Sequence, residues 1–120
     1  MPTLLAVDDS PSVRQMIRLA FVGTDFEVIE ASDGIEALDK ATSNKIDIVV
    51  TDLNMPRMSG LSFIRHLRAR PSHHGLPIVV VSTESDQTFS KEAKAAGATA
   101  WLVKPFAVQQ LLEIVHGLVK

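Results

Sequence analysis

Short apolar runs punctuate the chain at Leu4 to Val7, Ile46 to Val50, Ile78 to Val81 and Trp101 to Val103, rich in branched side chains and bounded by turn chemistry. They read as buried parallel strands. Between them, apolar residues recur at helical spacing: Val13, Ile17, Ala20 and Phe21; Ile35, Leu38 and Ala41; Ile64 and Leu67; Phe89, Ala93 and Ala96. A further short strand around Glu27 to Glu30 and a last helix from about Ala107 to Leu118 complete five alternating strand and helix units, the pattern of an α/β domain. Ser10 is suited to cap a helix with Pro11 at its first position, and Ser59 to cap another after a turn at Pro56. Gly23, Gly75 and Gly97 stand where helices end or loops turn.

Polar residues directly follow or end the apolar runs: the pair Asp8 and Asp9, then Asp52, Ser82 and Lys104. In an open α/β sheet the residues just past the carboxyl ends of the strands line the functional crevice, so these positions are predicted to converge.

Composition narrows what they can do. With 120 residues the chain suits one domain, spanning 1–120, and no linker or repeat interrupts it. A formal net charge of −2, from 12 basic and 14 acidic residues, gives no global field for nucleic acid or an anionic membrane. The absence of cysteine excludes disulfides and thiolate metal sites, and no apolar run approaches the ~20 residues of a membrane span. Met1 to Val7 lacks a basic start and a cleavage site, so a cytoplasmic protein is expected.

Adjacent carboxylates after a buried strand repel one another, and a hard cation such as Mg²⁺ would offset the cost. On the pair alone, Asp8 and Asp9 could equally serve to open a helix; Asp52 and Lys104 at other strand ends favour a shared site. Asp52, before Leu53, Asn54, Met55 and Pro56, can act as a nucleophile toward phosphorus. The Lys104 ammonium and Ser82 hydroxyl can neutralise and bond the transferred group.

The motifs Val7-Asp8-Asp9-Ser10, Asp52-Leu53-Asn54-Met55-Pro56 with Gly60, Ser82-Thr83-Glu84, Gly97-Ala98 and Lys104-Pro105-Phe106 together resemble the receiver domains of bacterial two-component response regulators, in particular the stand-alone chemotaxis type. The resemblance spans the chain. It implies a flavodoxin-like, doubly wound five-stranded parallel sheet of order 2-1-3-4-5 with five helices. It makes Asp52 the phosphoacceptor, Asp9 a direct Mg²⁺ ligand, Asp8 a ligand acting directly or through water, and the Asn54 backbone carbonyl a further ligand. Lys104 would pair with the phosphoryl group across a cis bond to Pro105. Ser82 would be the switch hydroxyl and Trp101 the aromatic that turns with it. Asn54 and Glu84 would flank the attacking water and tune dephosphorylation.

The implied partners are a histidine kinase, of chemotaxis type, and an effector such as a flagellar motor switch component, bound by a monomer. A phosphate sink or a relay intermediate is the alternative. Output is expected on the face of the fourth helix, fifth strand and fifth helix, with Trp101, Lys91, Lys94 and Ile114. In the last helix Val108, Leu111, Leu112, Val115 and Val119 form the core stripe and Ile114 lies away from its centre, where it can be exposed. Three features depart from the family's usual pattern: serine at position 82 with Thr83 next to it, tryptophan at 101 where tyrosine or phenylalanine is common, and Leu53 where some chemotaxis members carry tryptophan.

Two rivals come from other classes. A phosphatase with an aspartate nucleophile needs a second carboxylate two positions on, where this chain has Asn54. A flavodoxin-like nucleotide binder needs a hydroxyl-rich or glycine-rich loop where Asp8 and Asp9 stand. His73 and His74 lack helical ligand spacing and are assigned to a surface loop, Met55 and Met58 to packing, and His66 and His116 to local contacts.

Overall fold

The computed structural model describes residues 2–53, 55, 57–83 and 87–119, with the side chains of 87–90 left aside. Five strands form it: β1 (Thr3–Val7), β2 (Glu27–Ala31), β3 (Ile48–Thr51), β4 (Ile78–Ser82) and β5 (Ala100–Val103). The helices between and after them are α1 (Pro11–Ala20), α2 (Gly34–Ser43), α3 (Gly60–Arg68), α4 (Gln87–Ala96) and α5 (Val108–Leu118), with a 3₁₀ turn at Pro71–His73. All pairings are parallel, in the order β2-β1-β3-β4-β5.

Strands β1, β3 and β4 are buried along their whole length because helices cover both faces. Alternate residues divide between two cores. Leu5, Val7, Val49 and Val80 pack with Ala37 of α2, Phe63 and Ile64 of α3 and Ala93 of α4. Leu4, Ala6, Val50 and Val81 pack with Ile17 of α1 and Leu111 and Val115 of α5 on the opposite face.

Ser10 and Ser59 cap α1 and α3 as predicted, accepting from the Val13 and Ser62 amides, and Pro11 opens α1. Gly23 and Gly97 take positive φ after α1 and α4, where other residues are disfavoured. Four burial expectations are corrected. Ile35 is 45% exposed, since α2 turns Gly34, Ala37 and Ala41 inward instead. Val108 is 40% exposed at the first position of α5, bordering a groove along α1, whereas Ile114 is half-buried against the α1/α5 core. His73 is half-buried in the 3₁₀ turn, with Nδ1 enclosed and unpartnered among the described residues.

Candidate functional site

Register brings the polar residues together. Val7 pairs with Thr51, and the ladder runs one step further as the Asp52 amide donates to the Val7 carbonyl at 2.9 Å. Asp52 therefore stands beside Asp8, whose own amide donates to the Ala31 carbonyl of β2 at 3.1 Å. On the other side Ser82 pairs with Val103, and the Lys104 amide donates to the Ser82 carbonyl at 2.7 Å. The order of the strands reverses at β1, with β2 on one side and β3 on the other, so the crevice opens where such sheets place their sites.

Asp8 and Asp52 are buried, at 1% and 7% exposure, while Asp9 is exposed. One ligand oxygen from each of the three lies within 4.8 Å of the others. Lys104 Nζ sits 2.7 Å from Asp8 Oδ2 and 3.5 Å from Asp52 Oδ2, a cation shared between two buried carboxylates. Part of the like-charge repulsion is thus offset within the protein itself. The Ser10 amide holds Asp8 Oδ1 at 2.9 Å and the Leu53 amide holds Asp52 Oδ1 at 2.8 Å, so each carboxylate is oriented by backbone. The donor set is all hard oxygen, with no sulfur or imidazole in the group, which fits Mg²⁺.

Ser82 is fully buried at the end of β4, and the Lys104–Pro105 peptide is cis. Trp101 is half-buried against the α2/α3/α4 core and borders a cavity of about 130 Å³ lined also by Ala93, Lys94, Ala98, Thr99 and Ala100. Lys91 and Lys94 are exposed on α4. Asn54, Pro56 and Glu84 lie outside the described residues, and so do the roles assigned to Asn54 and Glu84. Met55 and Met58 pack against the α2/α3/α4 core. His66 Nδ1 lies 2.8 Å from the Ser62 carbonyl one turn back, a local contact as predicted, whereas His116, exposed on α5, packs edge-on against Phe26, distant in sequence.

The chain matches the response regulator receiver domain family over residues 4–116. It belongs to that family. It is 40% identical over 113 residues to a chemotaxis protein CheY homolog of Campylobacter jejuni, covering 92% of this chain and 86% of that one. Among solved structures, chemotaxis response regulator CheY4 of Vibrio cholerae superposes with a TM-score of 0.93 at 40% identity, covering 99% of both chains. The response regulator TrrA of Thermotoga maritima, solved in complex with Mg(2+)-BeF, is 30% identical with a TM-score of 0.87 over 99% of this chain and 100% of that one. The receiver fold and its 2-1-3-4-5 sheet are therefore as the motifs implied.

Further residues complete the receiver site. Gly60 opens α3 directly against the phosphoacceptor candidate: a Cβ there would stand 2.1 Å from the Asp52 carbonyl oxygen. Its amide donates to the Leu53 carbonyl at 2.8 Å, closing the loop. Asp33 caps α2 through the Glu36 amide and takes two bonds from the Arg57 guanidinium, Nε at 2.8 Å and Nη2 at 2.5 Å. The Glu36 amide, and then Arg57, hold the Asp33 carboxyl below its usual range. The spacing Asp33-Gly34-Ile35-Glu36 carries a helix-start signal that could have revealed this cap. Arg57 itself takes φ 67, a left-handed conformation uncommon outside glycine.

Proposed function

We propose that the chain is a phosphorylation-activated signalling switch, a single receiver domain over 1–120 that accepts a phosphoryl group from a histidine kinase on Asp52. The observation that carries this reading is the convergence of Asp8, Asp9 and Asp52 with Lys104 bridging two of them. An Asp52 carboxylate oxygen attacks phosphorus, the bond from phosphorus to the donor breaks, and an acyl phosphate results. Asp8, Asp9 and Asp52, with the Asn54 carbonyl, would hold Mg²⁺, which when bound neutralises phosphoryl oxygens. Lys104 moves from the free carboxylates to the arriving phosphoryl group, and the Ser82 hydroxyl bonds it. The CheY names of relatives and the Mg(2+)-BeF complex of TrrA support a magnesium-dependent role in chemotaxis or motility.

In this reading the protein works as a cytoplasmic monomer that promotes its own phosphorylation and is not a turnover enzyme. Asn54 and Glu84 set the lifetime of the adduct. Ser82, Trp101, Lys91, Lys94 and Ile114 carry the signal to an effector such as a motor switch component, as a shift between two populated states. Acetyl phosphate with Mg²⁺ should add one phosphoryl group at Asp52, detected by intact-mass spectrometry, and Asp52→Asn should abolish it. The same adduct on Asp52→Asn would falsify the assignment. For the output, Trp101 fluorescence should change on adding Mg²⁺ and a phosphoryl mimic, and Ser82→Ala should blunt the change.

A further inference from the structure

Arg14, on the first turns of α1, reaches back to the acidic site: its Nη1 donates to the Asp8 carbonyl at 2.6 Å while Nε pairs with Glu30 Oε1 at 3.1 Å. Glu30 sits in β2 opposite Ala6 and is held on its other oxygen by Arg18, with Nη2 at 2.7 Å. Arg18 foremost, with Arg14 adding to it, keeps the Glu30 carboxyl below its ordinary range, so it is an anion positioned by two guanidinium groups. The line of bonds runs from the edge strand through Glu30 and Arg14 to the peptide joining Asp8 and Asp9.

That peptide is planar, so fixing the Asp8 carbonyl also fixes the nitrogen from which Asp9 is built. The Asp8 side chain is already held by the Ser10 amide and Lys104. Asp9 is exposed and, among the described residues, has no hydrogen bond or ion pair of its own. We propose that Arg14 is a positioning residue for the metal site: through the Asp8 carbonyl it sets the Asp8–Asp9 peptide plane and so places the Asp9 carboxylate for a divalent cation. This rests on the magnesium reading above.

The sign of the effect separates positioning from charge. A guanidinium near a cation site repels the cation, and Glu30 neutralises that repulsion. Isothermal titration calorimetry with MgCl₂ on the wild type, Arg14→Met, Arg14→Lys and Glu30→Gln tests the proposal. Arg14→Met should weaken Mg²⁺ binding by about tenfold, the scale seen when a group that orients a metal ligand is removed. Arg14→Lys, which keeps the charge but offers a single ammonium for two partners, should weaken it less and also serves if Arg14→Met does not fold. Glu30→Gln keeps the carbonyl bond but leaves the guanidinium uncompensated, and should weaken binding by a factor that shrinks with added salt.

If Arg14 acts only as a nearby charge, its removal tightens Mg²⁺ binding; if it is only a brace, melting temperature falls with affinity unchanged. Either result overturns the proposal. A wild type that takes up no Mg²⁺ overturns the magnesium reading together with it, whereas wild-type binding matched by the folded Arg14 variants overturns this inference alone.

Discussion

The two turns that carry the acidic residues are held by different forces. After β1, residues 8–10 are fixed by charge and hydrogen bonds: Lys104 on Asp8 Oδ2, the Ser10 amide on Oδ1, Arg14 on the carbonyl. After β3, Asp52 and Leu53 are confined largely by shape, with Gly60 seated against the Asp52 carbonyl, and a left-handed Arg57 is tied back to Asp33. The first turn is therefore sensitive to changes of charge and the second to added carbon. The Asp8 side is reached by the Arg14–Glu30 ion pair, while the Asp52 side admits little alteration.

The largest expected effect tests the charged side. Lys104→Met leaves two buried carboxylates without their shared cation and should cost about 3 kcal/mol in metal-free urea unfolding. Asp9→Asn, which only removes an exposed like charge, should leave stability unchanged or raised. Equal losses in the two would dissolve the idea that Lys104 compensates the site.

Next comes the steric side: Gly60→Ala should cost about 2 kcal/mol by forcing a methyl group against backbone. Gly75, around which an added Cβ meets nothing within 4 Å, is the control, and Gly75→Ala should be close to neutral. Similar unfolding midpoints for the two variants would remove shape as the restraint.

Smaller again, Asp33→Ala should cost about 1 kcal/mol through loss of the α2 cap, and Asp33→Asn less because it still caps. Since the folded Asp33 carboxyl is depressed below 3.8, its contribution is present above that value and is lost as pH falls through the lowered one. An unfolding series against pH that is superimposable for wild type and Asp33→Asn would show the Arg57 pair to be idle.

The smallest effect lies away from both turns. Burial first, then Arg70 and Arg68, push His73 below its ordinary 6.5. The unfolded chain then takes up a proton before the folded one, so stability should decline as pH drops from about 6.5 toward the lowered value. His73→Gln should flatten that part of the profile, as read by unfolding midpoints at successive pH values.

The sheet was legible because four of its strands are runs of apolar, mostly branched residues followed by a polar side chain, and Ser10 and Ser59 announced their helices by chemistry alone. Burial within the last helix was not, because periodicity is blind to how far the neighbouring elements extend. Val108 keeps the stripe's spacing yet is 40% exposed at the helix start, and Ile114, off the stripe's centre, still meets the core. The carboxylates and Lys104 were legible as strand-end residues. Arg14 and Arg57 were not, since their partners are a backbone carbonyl and a residue on another loop; Gly60 stood in a motif, but the close approach to Asp52 that requires glycine there did not show. His73 was misread because its enclosure depends on the path of the 3₁₀ turn, which its neighbours in sequence do not reveal.

The bond between Lys104 and Asp8 joins positions 96 residues apart. Closing so long a loop carries an entropic cost that local turns avoid, and it is recovered only once β5 has docked beside β4. A chain still emerging from the ribosome therefore carries its acid pair without this cation until position 104 has been made. The site is completed only when β5 joins the sheet, so competence to receive a phosphoryl group reports that the turns after β1 and β5 have already met.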